Sequence, residues 1–351
     1  MEDKRYLDQW ILKKIGSKAP ALTREELEAY QYRKLMETLH YVKEHSSFYG
    51  ELLKDFDVSD IRSLEDLRRI PFTTVNDLSE DPARMQCVPT GDIKRIVSME
   101  TSGSTGASKR IFFTEEDQEL TIDHFHNGMY LLSDPTDVVL VLLPCQRPGS
   151  VGDLLRIGIE RMGARAVAYG LVDDTEKVLD LMEEKKVTVI VGVPGQLLAL
   201  AQKDVERAGR EGTLTGSSVK SILLSTDYIP DEICASLHDI WGSQVFEHYG
   251  MTEMGLGCAV SCPVLEGYHI REGDLLLEIV DPDTLEPVPE GEYGEIVFTT
   301  LTRKAMPFVR YRTGDRSRFL PDSCPCGSVL KRLEKVGKRE ALKQYQGGDI
   351  L

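Results

Sequence analysis

The 351-residue sequence has no apolar run of the ~18 residues that a membrane-spanning helix needs. It has only two tryptophans, which argues against an aromatic cage. Positive charge is scarce: 42 Lys and Arg stand against 58 Asp and Glu, a net charge of −16, which argues against general nucleic-acid binding. The opening Met1-Glu2-Asp3-Lys4-Arg5 lacks the apolar centre of a signal peptide, so a cytoplasmic protein with neither membrane nor nucleic-acid partners is expected. Seven cysteines make an odd set, and a disulfide framework is not expected in a reducing compartment; Cys87, Cys145 and Cys234 stand alone and read as small core residues. There is no internal repeat, no low-complexity tract and no Ser-His-Asp signature. The length allows one large or two moderate domains.

What is present falls into three stretches. In the first, Thr23-Arg24-Glu25-Glu26 is a capping box, and Tyr32, Leu35, Met36, Leu39 and Val42 recur at helical spacing, predicting a helix to about His45. Ser63-Leu64-Glu65-Asp66 starts a short helix that Pro71 stops. From about Val97, strand-like runs at Val138–Leu143, Ala164–Tyr169, Val187–Val191, Val219–Leu224 and Gln244–His248 alternate with helical stretches near Leu154–Met162, Thr175–Glu184, Gln196–Arg207 and Asp231–Trp241. Continuous Val/Ile/Leu strands separated by helices imply a mostly parallel sheet covered on both faces, with ligands at the carboxyl ends of its strands. From about Gly273, Leu275–Val280, Glu295–Thr300 and Phe308–Arg312 read as strands, with a turn at Asp281-Pro282-Asp283. They predict a small antiparallel subdomain.

Three local features carry chemistry. Thr101-Ser102-Gly103-Ser104-Thr105-Gly106-Ala107-Ser108-Lys109 can surround phosphate oxygens with N–H groups and hydroxyls, and Lys109 adds charge. Its spacing is not that of a Walker A loop, and a plain turn is the alternative. Cys262, His269, Cys324 and Cys326 form a three-thiolate, one-imidazole set suited to a structural Zn²⁺, with Cys258 in reserve; unligated thiols are the alternative. Between Arg303 and Lys343, twelve Lys and Arg meet four acids, which reads as a solvated basic face or as a site for phosphate-bearing ligands. Asp123-His124-Phe125-His126 could line an acyl pocket, although a helical His is more often a satisfied one, and His248 has the same ambiguity.

The first loop, Tyr249-Gly250-Met251-Thr252-Glu253, Tyr311-Arg312-Thr313-Gly314-Asp315 and Gly337-Lys338-Arg339 occur in the order of the signatures of the adenylate-forming superfamily, which the chain resembles. Ser47-Phe48-Tyr49, Ile70-Pro71-Phe72-Thr73-Thr74, Gly267-Tyr268-His269, Thr299-Thr300-Leu301-Thr302, Met306-Pro307 and Cys324-Pro325-Cys326-Gly327 narrow the resemblance to the phenylacetate–CoA ligases. The resemblance implies an α/β adenylate-forming N-terminal domain over residues 1–338: a mainly helical region to 96, an α/β core over 97–257, and a β subdomain with the zinc site over 258–338. Residues 339–351 would be the hinge and the stub of a mobile C-terminal domain that the sequence lacks. Glu340-Ala341-Leu342 departs from the aspartates usual after the hinge arginine.

The resemblance also implies roles. Thr101, Ser102, Gly103, Ser104, Thr105, Gly106 and Lys109 would hold ATP phosphates, Tyr249, Gly250 and Met251 would flank adenine, and Thr252 would contact the α-phosphate. Glu253 would hold Mg²⁺, Asp315 the ribose, and Arg339 the ribose or phosphate. Ser225, Thr226 and Asp227 fall where the superfamily binds adenine. A carboxylic acid, possibly aromatic, would be adenylated and passed to CoA. A non-CoA acceptor or a weakly active nucleotide-binding module is the alternative. A homodimer and a separately supplied lid domain stay open as partners. Without a later lysine, and unless Lys338 or Lys343 replaces it, slow adenylation and little thioester formation are expected.

Overall fold

A computed structural model describes residues 5–100 and 108–337. The chain groups into two compact units. One holds residues 5–6, Leu120–Met251 and Leu256–Tyr268; the other holds Leu7–Glu119, Thr252–Gly255 and residues 269–337.

The first unit is built on parallel strands. Strand Val138–Leu142 pairs with Arg165–Ala168 on one side and Val189–Gly192 on the other, followed by Ser221–Leu224 and Gln244–Tyr249. The chain therefore runs first to one edge and then returns across the sheet. The resulting switch point lies between Val138–Leu142 and Val189–Gly192, and ligands gather outside the carboxyl ends at such a point. Helices Val151–Arg161, Thr175–Lys185, Pro194–Glu211 and Asp231–Trp241 make the crossovers. Leu140, Ile190, Ile222, Leu237 and Trp241 share one buried cluster, which is why the strands read as unbroken apolar runs. Trp241 Nε1 donates to Asp204 Oδ2 at 2.8 Å, and a side chain on Gly216 would collide with that indole at 2.1 Å.

In the second unit, helix Arg24–His45 starts at Thr23, whose hydroxyl accepts from Glu26 N, a cap that contributes about 1 kcal/mol. Its Leu35, Leu39 and Val42 share a cluster with Tyr49, Leu67, Leu301 and Val309. The expected short helix after Ser63 is a 3-10 segment, Leu64–Arg69. An antiparallel sheet runs Leu275–Val280, Gly294–Thr300, Tyr311–Ser317. The third strand lies downstream of the expected Phe308–Arg312. Arg310 takes φ +48°, which ends any extended run through it, and Phe308 instead pairs its main chain with Thr300 before the strand begins. The hairpin Arg95–Glu100 with Ser108–Phe113 was not expected.

The described part of the basic stretch after Arg303 is mixed: Lys304 and Lys331 are exposed, whereas other cations are buried or paired. Arg303, Arg310 and Arg332 are buried. Arg310 makes two hydrogen bonds to Glu278 (2.9 and 3.0 Å), Arg312 pairs with Glu295 and Arg318 with Glu334. Removing one partner of a buried pair such as Arg310–Glu278 costs about 3–5 kcal/mol. No described helix is long and apolar enough to cross a membrane.

Candidate active site

Strand Gln244–Tyr249 delivers the chain to a narrow loop at the carboxyl edge of the parallel sheet. Leu256 N donates to Met251 O and Cys258 N to Tyr249 O, both at 3.0 Å, which closes the neck. A Cβ on Gly250 would lie 2.9 Å from Gly257 Cα, and one on Gly257 would lie 2.5 Å from His124 Cδ2 and 2.8 Å from His124 Nε2. The neck therefore excludes side chains at both positions. Leu256 takes φ +67°, a conformation that is strained for a leucine.

At the tip of this loop, within the second unit, Thr252–Met254 forms one 3-10 turn closed by Gly255 N to Thr252 O. The Glu253 side chain is 2 % exposed. Its Oε1 accepts from Lys109 Nζ at 2.7 Å and from Tyr311 OH at 3.4 Å, while Oε2 takes no hydrogen bond among the described residues. Lys109 stands on strand Ser108–Phe113 opposite Met99, and Tyr311 opens strand Tyr311–Ser317. Where that last strand pairs with Gly294–Thr300, the register shifts between Glu295 and Val297, and Glu295 accepts from Arg312 and Gly314 N. Gly314 takes φ +74°, and Asp315 N donates to Thr313 Oγ1 at 3.0 Å, so Asp315 is presented by a fixed kink.

Within the first unit, a cavity opens at the carboxyl ends of the strands, beside the switch point. Leu143, Val191, Leu223, Ser225 and His248 come from strand ends, His124, Phe125 and Met129 from helix Glu115–Met129, and Val151 and Leu155 from the next helix. The cavity is small, about 30 Å³, well below the roughly 300–1,000 Å³ of sites that hold a bound small molecule. His248 Nδ1 meets Ser225 Oγ at 2.9 Å, and its Nε2 is buried without a hydrogen-bond partner among the described residues. Although the ring is only partly covered, shielding of its nitrogens pushes the pKa down to about 4, so the imidazole is neutral at physiological pH. Thr226, next to Ser225, is exposed with φ +73°, an outlier for a β-branched residue.

A separate cluster sits in the second unit. His269 Nε2 lies 3.3 Å from Cys326 Sγ, and Cys324 belongs to the same group, with its ligand atom within 4.8 Å of theirs. Burial alone would lower the His269 pKa. Hydrogen bonds to Cys324 and Cys326, and their charge, outweigh it and raise the value to about 9. Gly327, with φ +85°, makes the turn that presents both cysteines. Cys262 is buried in the first unit, seven residues before His269.

Residues 53–302 match the AMP-binding enzyme family. The chain belongs to that family. Among curated relatives, it is 32% identical to a phenylacetate–coenzyme A ligase of Thermus thermophilus over 338 residues, covering 94% of this chain and 74% of that protein. It is 29% identical to one of Escherichia coli over 329 residues, covering 90% of this chain and 71% of that protein. This places it in the phenylacetate–CoA ligase-like branch. A crystal structure of 2-hydroxyisobutyryl-CoA ligase with 2-HIB-AMP and CoA in the thioesterification state superposes with a TM-score of 0.80 at 23% identity, over 91% of this chain and 69% of that one, and has the same fold.

In this AMP-binding enzyme, Lys109 and Glu253 meet directly, and the Thr252–Met254 turn and the Tyr311–Asp315 strand belong to the same unit. Ser225, Thr226, Asp227, Tyr249, Gly250 and Met251 cluster at strand ends of the other unit. Thr101, Ser102, Gly103, Ser104, Thr105, Gly106 and Arg339 lie outside the described residues. Sequence reasoning missed Arg303, whose Nη1 donates to the Glu253 carbonyl at 2.7 Å, and the partnership of Ser225 with His248. A basic residue directly after Thr299-Thr300-Leu301-Thr302 was the available signal for Arg303; nothing local pointed to Ser225–His248.

Proposed function

We propose that this chain is an acid–CoA ligase. It joins a carboxylic acid to ATP as an acyl-adenylate, with release of pyrophosphate, and transfers the acyl group to the thiol of CoA with release of AMP. The observation that carries this reading is the Lys109–Glu253 pair. The chain brings a lysine next to the phosphate-loop motif within 2.7 Å of the carboxylate of the second motif, 144 residues away.

In the first step a carboxylate oxygen attacks the α-phosphorus and the bond to pyrophosphate breaks. Two anions must meet, so fixed positive charge and N–H dipoles contribute most. Thr101 to Gly106 and Lys109 hold the phosphates, Thr252 contacts the α-phosphate, and Asp315 takes the ribose hydroxyls. Ser225 to Asp227 and Tyr249 to Met251 frame the adenine, and Arg339 reaches the nucleotide from the hinge. Oε2 of Glu253, which takes no hydrogen bond among the described residues, is a hard oxygen donor of the kind Mg²⁺ prefers, and the bound ion would neutralise charge on the phosphates. Cys324, Cys326 and His269, with Cys262 as fourth ligand, hold a structural Zn²⁺; the thiol-rich donor set and its fixed turn support this.

The mainly apolar cavity receives the acyl group. Its neutral histidine and apolar walls favour an uncharged chain or ring, aromatic by analogy with the relatives' phenylacetate. The narrow walls must part to admit it. ATP–pyrophosphate exchange with a panel of acids, starting with phenylacetate, tests the first step, and product mass with and without CoA tests the second. Absence of exchange with every acid, together with absence of ATP binding, would overturn the reading.

A further inference from the structure

We propose that Arg303 is a positioning residue that ties the strand carrying Lys109 to the turn carrying Glu253, and so sets the divalent-cation affinity of the nucleotide site. The inference rests on the role proposed above for Glu253.

Arg303 is buried, and its hydrogen bonds go to two main-chain carbonyls rather than to a carboxylate. Nη1 donates to Glu253 O at 2.7 Å and Nη2 to Phe112 O at 3.0 Å. Phe112 lies three residues after Lys109 on one strand. The same planar group thus bonds the main chain of Glu253 and the strand that carries Lys109, the two partners of the 2.7 Å pair. The guanidinium carbon lies 4.3 Å from the Phe113 ring centroid and 5.8 Å from that of Phe308, so aromatic faces fix its plane. Nε is buried with no hydrogen-bond partner among the described residues.

This is a costly arrangement for stability alone. A buried cation without a contacting carboxylate carries a desolvation penalty that apolar packing would avoid. Burial pushes its pKa down to about 10, against the opposing charges of Asp117 and Glu253, yet leaves it a cation at neutral pH. What the guanidinium supplies, and an apolar residue cannot, is a rigid fork with two donors at a set spacing. The fork spans two carbonyls that are distant in sequence, one of Glu253 itself and one on the strand of Lys109. Lysine, with one point-like donor group, can satisfy one carbonyl well but cannot fix the spacing of two.

The experiment uses the full chain as wild type, Arg303→Lys, Arg303→Gln, Glu253→Gln and the Glu253→Gln/Arg303→Lys double variant. ATP binding is measured by calorimetry across a series of Mg²⁺ concentrations, with thermal unfolding alongside. Arg303→Lys should stay folded and need about 10–100-fold more Mg²⁺ for half-maximal ATP binding, as is usual when a group orienting a metal ligand is lost. The double variant should bind no worse than Glu253→Gln alone, because Arg303 acts through Glu253. A wild-type Mg²⁺ midpoint in Arg303→Lys, or losses that add in the double variant, would overturn the inference while leaving Glu253 in its role. Loss of folding in both Arg303 variants would overturn it too, assigning the residue to the core. An unshifted midpoint in Glu253→Gln would remove the role of Glu253 itself.

Discussion

The ammonium of Lys109 meets Oε1 of Glu253 at 2.7 Å, with the lysine side chain 17 % exposed and the glutamate 2 % exposed. The pair is asymmetric. Lysine can swing toward solvent, whereas the carboxylate is held by its turn and by Tyr311. Glu253→Gln keeps the shape and the acceptor but removes the charge. ATP–pyrophosphate exchange should fall at least 10–100-fold, the range for weakened metal sites, while the thermal midpoint shifts by a few degrees at most. Unchanged exchange would show that the carboxylate has no part in the chemistry.

Gly257→Ala should be poorly tolerated. The new methyl would sit 2.5 Å from the His124 ring and 3.3 Å from His248 Nε2. Overpacking of this kind costs about 1–3 kcal/mol. The displaced His124 also lines the cavity, so the KM for the acid should change more than the KM for ATP. Denaturant unfolding and exchange kinetics together measure both, and a variant with wild-type stability would disprove the tight neck.

His248 predicts an acid-side stability profile. Its folded-state pKa of about 4 lies below the ordinary 6.5, through burial. Between those values the unfolded chain binds a proton that the folded chain does not. The contribution to stability is therefore lost as pH falls from 6.5 toward 4 and is constant above 6.5. Denaturation curves across this window should be flatter for His248→Asn than for wild type. Identical slopes would mean that the ring is solvated.

The cysteine cluster predicts one equivalent of zinc in the purified protein, with sulfurs at about 2.3 Å and nitrogen at about 2.0–2.1 Å by X-ray absorption. Chelation should lower the thermal midpoint, and Cys326→Ser should mimic chelation. Zinc-free protein whose melting is insensitive to chelator would refute the site.

The parallel core could be read from the sequence because Val189–Gly192 and Ser221–Leu224 are buried along their whole length, so burial and apolar composition coincide. The hairpin Arg95–Glu100 with Ser108–Phe113 could not. The described side chains of its first strand are half-buried or exposed, and Ile96 is 50% exposed, so no clean alternation marks it. The third antiparallel strand was displaced because the φ of Arg310 is set by contacts with Glu278 and the Arg68 and Ile70 carbonyls, all remote in sequence. Motif residues were legible because their identity carries the chemistry. Arg303 was hidden for the opposite reason: counting charge assigns arginines to the surface, and only the fold reveals one bonded to main-chain oxygens.

The pinched loop at Gly250 and Gly257 also bears on redesign of substrate range. At Gly250 the limit is main chain, Gly257 Cα and Leu256 O, and at Gly257 it is the His124 ring, so a side chain at either position disturbs the loop itself or a wall of the cavity. The cavity walls at Phe125, Met129 and Leu155 are ordinary side chains on helices that can be exchanged one for another. Libraries aimed at new acids should therefore vary the helical wall and leave residues 250–257 fixed, so that specificity drifts while the turn that presents Glu253 stays constant.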